Sequence, residues 1–269
     1  MKQTFINLRF DEIEKRFSEI DLLLKLAVEY ESDFEIYKSL CRSANVLLVS
    51  HFEGLYKDIS RDILDDLNAN THFYEVPKNI FNTHCQYYIH GVESQKSLDK
   101  VKQKLWTAFK DYPSKLHSEP FLYVDNKNPA PKIIESILER FGVKNFFWNL
   151  ESSDLDIVFQ NQKTKSIKLR NRLLKNLKNG TAFYPYAVTT STYNPVEKLN
   201  IKKGTTLWED FINNFLRDRH NIIHGNTMNN PNDHESLSDA KLKIEIILYA
   251  FILNICVAAN PMMLLQESN

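Results

Sequence analysis

The chain has 269 residues, 43% of them hydrophobic and 25% charged, which is enough to close a core and too apolar for a disordered chain. Thirty-four Lys and Arg balance 34 Asp and Glu, so no global field draws the protein to nucleic acid or membrane, and any polyanion site has to be a local patch. Three cysteines, Cys41, Cys85 and Cys256, are odd in number, widely spaced and without a CxxC pair, which argues against a disulfide framework and fits reduced thiols in a cytoplasmic protein.

In chain order, the opening MKQTFINLRFDEIEKRF has no apolar h-region, so no signal peptide is expected. Phe10, Ile13, Phe17, Ile20, Leu24 and Ala27 recur at spacings of three and four and predict an amphipathic helix. Ala44, Leu48, Phe52, Leu55, Ile59 and Ile63 predict a second one. Val46, Leu47 and Val49 broaden its apolar face, which suits a central position, and it carries the string SHFEG at 50–54. Prolines at 77, 113, 120 and 129 punctuate the next stretch. Within it, Leu98, Val101, Leu105 and Phe109 suggest one amphipathic helix. Pro131 suits the first turn of another, with Ile133, Ile134, Ile137, Leu138 and Phe141 on its apolar side.

Residues 157–178 read IVFQNQKTKSIKLRNRLLKNLK, with Gly180 as the expected stop. Turn signals then dominate, and the pattern allows short strands around 184–190. Thr206 and Glu209 form a capping-box signature opening a helix with Leu207, Phe211, Ile212, Phe215 and Leu216 on one face. That helix is expected to run to about His224 and to stop at Gly225. Ser236 and Asp239 are a second capping-box candidate, for a last helix at about 237–259. Its run from 246 to 259 is interrupted by Asn254 and is too short to span a bilayer, so a buried helix is expected and no membrane partner. The fold class is therefore all-α: one helical bundle over 1–269, with a mostly helical insert at about 68–130 and a loop-rich connection at about 179–206. Glycines are few and form no GxGxxG or P-loop pattern, and no cofactor is expected.

The chemistry-bearing stretch is RDRHNIIHGN at 217–226. Basic residues at a helix end also interact favourably with the exposed carbonyls and the dipole, so the stretch needs support from elsewhere. Arg219 and His224 form R-x4-H, and residues five apart on a helix point about 140° apart. Arg217, seven before His224, lies on nearly the same face, as does His220, four before it. An HxxxH metal reading would need a third ligand such as Glu53, Asp233 or His234; no HExxH is present, and no metal is expected.

RHNIIH at a helix end resembles the signature of the HEPN superfamily, and SANVLLVSHFEGLYKDI (43–59) resembles the first helix of a prokaryotic HEPN branch that includes the RiboL-PSP-type and Mae-type families. The resemblance covers 40–65 and 207–259. It implies an HEPN-like bundle, metal-independent RNA cleavage to 2′,3′-cyclic phosphate and 5′-hydroxyl ends, and a toxin or phage-defence role. It also implies a homodimer with a composite site, and an antitoxin or defence-system partner. HEPN toxins regulated by a nucleotidyltransferase carry a tyrosine after the motif histidine, where this chain has Gly225, Asn226 and Thr227.

The residue types suit that chemistry. Histidine moves protons near neutrality, and the guanidinium fork fits phosphate oxygens. His224 is expected to act as general base or acid, and Arg219 to stabilise the transition state. His220 or Asn221 would orient the phosphate, with Arg217 as a rival to Arg219. Glu53, on an apolar helix, is expected to pair with Arg219 or Arg217. Lys165, Lys168, Arg172 and Lys175 form a stripe in a stretch free of acids from 157 to 178, the expected RNA-backbone contact. The alternative reading is a non-catalytic HEPN-like module that binds RNA or a protein.

Overall fold

A computed structural model of the chain describes residues 2–89, 94–112, 114–122, 129–151, 153–195, 204–225 and 232–261. The described residues form helices and connecting turns with no strand among them. In order these are α1 Phe5–Glu29, α2 Phe34–Asn70, α3 Lys78–Tyr88, α4 Gln95–Ala108, α5 Pro131–Phe141, α6 Phe146–Glu151, α7 Lys163–Gly180, α8 Leu207–Ile223 and α9 His234–Ala258, with 3₁₀ turns at Phe73–Glu75, Asp154–Phe159 and Thr190–Thr192.

The helices α1 and α2 form a long antiparallel hairpin, and the apolar positions that define them in sequence are all buried. Polar pairs set their register. Arg9 grips Asp62 with Nε and Nη2 at 2.6 and 3.0 Å, while Arg16 reaches Asp58 at 3.1 Å. Glu12 bridges both arginines. Gly54 makes room for this layer, since a Cβ there would meet Arg16 Nη1 at 3.0 Å. The first turn of α1 is held by a buried carboxylate: Asp66 accepts from the backbone N–H of Phe5 and Ile6 and from the Tyr186 hydroxyl. Amides left over at a helix start are thereby satisfied away from water.

Beneath the hairpin lies α9, buried on nearly all sides, which its almost unbroken apolar sequence requires. Its cap is Asp233, whose Oδ1 accepts from Ser236 N at 2.7 Å, and not Ser236 as the capping pattern suggested. A carboxylate suits the positive helix start, and Asp239 is drawn instead to Lys243 at 2.6 Å. Packed on α9 is α7. It begins at Lys163, because 154–159 forms a separate 3₁₀ turn, and Gly180 is its last residue and not a stop beyond it. The 184–190 segment forms no strand; it crosses from α7 to the end of α9, with Ala187 N–H bonded to Gly180 O and Asn260 Nδ2 to Tyr186 O.

The predicted box at the start of α8 forms, with Thr206 Oγ1 accepting from Glu209 N and Glu209 Oε2 accepting from Thr206 N. The inner position one residue on belongs to Trp208, fully buried with Nε1 on Asp156 at 3.3 Å, so Leu207 is left half exposed. The turn-rich connection at 196–203 and the polar loop at 226–231 lie outside the described residues. None of the described helices is long and apolar enough to cross a membrane, and all three cysteines are buried free thiols.

Candidate functional site

The last turns of α8 carry Arg217, Arg219, His220 and Asn221, and His224 is the C-cap residue. The helix ends because Gly225 enters the left-handed region at φ +68°, a conformation that glycine alone adopts without strain. Its Cβ position is open space, so the constraint is conformational and not steric.

Burial divides the motif into two flanks. Arg217, His220 and His224 are exposed and fall on one face at spacings of three and four. Their imidazoles meet, with the His220 and His224 rings 4.2 Å apart and tilted by 47°. Arg219, Asn221 and Ile222 are half-buried. Ile222 turns to a groove of about 470 Å³ that it lines with Leu23 of α1 and with Arg42, Val46 and Leu47 of α2. Ile223, next along, is 49% exposed.

The start of α9 is tied to the end of α8 by one contact and to the first turn of α2 by another residue's contacts. Asn232 Nδ2 donates to Asp218 Oδ2 at 3.0 Å. The Tyr37 hydroxyl, from the first turn of α2, lies 3.2 Å from His234 Nδ1 and accepts from His234 N. Tyr37 has no sequence signal, because its partner is 197 residues away.

Glu53 does not pair with either arginine. Among the described residues its ion-pair partner is Lys57, at 3.2 Å one turn along α2. The rest of SHFEG is used in packing: His51 binds Glu19 at 3.0 Å, and Phe52 is core. The third ligands considered for an HxxxH metal site are likewise engaged elsewhere: Glu53 by Lys57, His234 by Tyr37, and Asp233 as the α9 cap. Among the described residues no group of three or more His, Cys, Asp or Glu could hold a metal ion.

On α7, Lys165, Lys168, Arg172 and Lys175 are all exposed. The opposite side explains why: Leu169, Leu173 and Leu177 are buried, and Arg170 turns inward to the buried Glu245, 3.1 Å away. Burial raises the Glu245 carboxyl above its ordinary value, against the pull of Lys241 and Arg170. The outward cations border two hollows. One, of about 580 Å³, is lined by Arg172, Lys175, Asn176, Asn179, Ser191 and Thr192. The other, of about 350 Å³, lies between α7 and the 3₁₀ turn at Asp154–Phe159, beside Lys165, Lys168 and Arg172. That turn also packs on α8, with Phe159 edge-on to Trp208 at 4.8 Å.

The described residues form an all-α bundle with an Arg–His motif at the end of α8, the arrangement expected of an HEPN-type domain. The family model RiboL-PSP-HEPN matches residues 11–256, and the chain belongs to this family. The match runs through the 68–200 stretch that the resemblance in the sequence leaves uncovered. HEPN domains are often ribonucleases, so membership points to a nuclease or RNA-related function. No curated protein and no solved structure matches the chain.

Proposed function

We propose that the protein is a metal-independent endoribonuclease that cleaves RNA to 2′,3′-cyclic phosphate and 5′-hydroxyl ends, as a toxin or phage-defence effector. The observation that carries this reading is the exposed row Arg217, His220, His224, with two imidazoles in contact at 4.2 Å and Arg219 beside them. The reaction needs a base for the 2′-hydroxyl, an acid for the leaving 5′-oxygen and a cation for the phosphorane. In this reading His224 moves a proton, an arginine holds the non-bridging oxygens, and His220 or Asn221 orients the phosphate. Glu53, paired with Lys57, has no part in it.

The ring contact itself favours a composite site. Attacking and leaving oxygens lie on opposite sides of phosphorus, and each must be about 2.8 Å from its proton-transfer partner. Two rings 4.2 Å apart cannot flank a phosphate in that way. A second copy, supplying its own His224 from the far side, can. Ile223 and the groove beside Ile222 offer apolar surface next to the motif for that copy. Lys165, Lys168, Arg172 and Lys175 then serve as backbone contacts for the RNA outside the cleft.

Incubating the protein with RNA in EDTA, and identifying the product ends, tests this. Cyclic phosphate ends that form in EDTA and disappear in His224→Ala are expected. Cleavage that stops on chelation, or that persists in both His224→Ala and Arg219→Ala, would overturn the assignment. RNA binding without cleavage would favour the non-catalytic module.

A further inference from the structure

The one buried residue of α4 is a lysine. Leu98, Val101, Leu105 and Phe109 predict an apolar face, yet all four are half-buried, while Lys102 is 9% exposed. Its stem is packed against the protein while the residue borders a cavity, and an ammonium so placed gains from a negative charge or further acceptors within reach. Among the described residues Lys102 Nζ has one hydrogen-bond partner, the neutral amide Oε1 of Gln86 at 3.2 Å. Cys85 is close enough to feel the ammonium, but burial pushes its thiol up to about 11, so it stays neutral. Asp99 accepts from Gln95 at 3.0 Å and forms no ion pair with Lys102. Among the described residues the lysine thus makes no ion pair, which leaves its charge available to an anion.

It also lines a space for one. Between α3 and α4 lies a cavity of about 550 Å³, bordered by Lys78, Phe81, Asn82, Asp99, Lys102, Gln103 and Trp106. That is within the usual size range of small-molecule sites. Lys78 begins α3, whose N-cap position, Pro77, supplies no side-chain hydrogen bond, so amides of the first turn remain available to an anion. The aromatic wall is Phe81 with Trp106 edge-on, ring centroids 4.4 Å apart. Asn82 and Gln103 add amide donors and acceptors, and Asp99 adds a carboxylate suited to sugar hydroxyls.

We propose that this cavity is a binding site for a nucleoside monophosphate, the phosphate held by Lys102 and Lys78 and the base against Trp106. Anion, ring and hydrogen-bonding edge in one small molecule match the three parts of the lining. The site stands apart from the α8 motif and does not depend on the nuclease reading.

Calorimetry on the full chain tests it, with AMP, GMP, CMP, UMP, adenosine and inorganic phosphate as separate probes. At least one nucleotide is expected to bind about tenfold or more tightly than phosphate or adenosine. Lys102→Met is expected to weaken that binding by at least about tenfold, and Trp106→Leu to weaken the nucleotide while leaving phosphate unchanged. Should Lys102→Met fail to fold, Lys78→Met and Gln103→Ala, at exposed positions, give the same readout. His224→Ala is expected to bind the nucleotide as the parent does, which separates this site from the catalytic reading. No nucleotide binding at millimolar concentration, phosphate binding as tight as the nucleotide, or a loss caused by Arg172→Glu and not by the cavity variants would overturn the proposal.

Discussion

The imidazoles of His220 and His224 lie against each other at 4.2 Å on the solvent face of α8. Helical spacing of four makes the contact, and the left-handed Gly225 keeps the following chain from continuing the helix over it. Neither ring is enclosed by the protomer, so both are free to face RNA. If His224 moves the proton and His220 orients the phosphate, the two substitutions separate. His224→Ala is expected to lower cleavage by roughly 10²–10⁴-fold, and His220→Ala by less, through a raised KM. Equal losses in kcat from both, measured on a defined oligoribonucleotide, would place both imidazoles in the proton-transfer steps.

Arg217 and Arg219 can be told apart by the same route. Arg217 shares the exposed face of the two histidines, whereas Arg219 lies half-buried on the flank. A group that stabilises the transition state lowers kcat and kcat/KM together; one that only holds RNA raises KM. Arg219→Lys is expected to cost about 10²-fold in kcat, since a lysine lacks the fork that meets two phosphate oxygens. Arg217→Lys is expected to act chiefly on KM. The reverse pattern would exchange their roles.

Ile223 tests the second copy. Its side chain is 49% exposed beside the Ile222 groove, so a charge placed there leaves the monomer's core alone. Ile223→Asp is expected to shift sedimentation from dimer to monomer and to reduce cleavage in parallel. A monomeric variant that cleaves at the parent rate would show that one protomer suffices.

Salt dependence reads the α7 stripe. Lys165, Lys168, Arg172 and Lys175 are exposed, and Arg172 is 3.9 Å from Asp154, too loose an ion pair to occupy its guanidinium. Each phosphate contact on a single strand contributes about 0.7 to the slope of log K against log salt. Lys168→Glu with Arg172→Glu is expected to lower the slope by about 1.4 while melting stays unchanged. An unaltered slope would remove α7 from the RNA path.

What the sequence makes legible here is whatever local periodicity decides. The buried faces of α1 and α2 follow from spacing alone, and the Thr206–Glu209 box marks its helix start to the residue. What escapes is set by tertiary contact. Leu207 and Trp208 are both apolar, and only Asp156 and Phe159 decide which turns inward. Glu53 has a candidate arginine far along the chain, yet a lysine one turn away satisfies it at less entropic cost. The residue types of the motif are visible in the sequence; the split between an exposed row and a half-buried Arg219 is not, because it depends on how α8 sits against α2. Lys102 is the sharpest case: four after Leu98 and three before Leu105, it falls by spacing on the apolar face of α4, and only the packing of α4 on α3 shows that a lysine fills that place.

His84 gives the fold a pH dependence of known sign. It is buried on α3, with Phe73 and Tyr88 edge-on at 5.2 Å each and His117 stacked at 5.8 Å. Its Nε2 is buried with no hydrogen-bond partner. Burial, and then the neighbouring His117, lower its pKa to about 4, while Glu119 pulls weakly the other way. The neutral ring is therefore the one the fold accepts, and the unfolded chain takes up a proton near pH 6.5. Stability from this group is present in full above about 6.5 and falls as the pH drops toward 4, by up to about 3 kcal/mol. His84→Phe removes the titration and the unsatisfied nitrogen, and a phenyl ring suits the aromatic surroundings. Urea midpoints at pH 7 and pH 4.5 are expected to converge in the variant relative to the parent, with the larger gain at pH 4.5. Parallel losses in both proteins would show that other groups, and not His84, govern the acid limb.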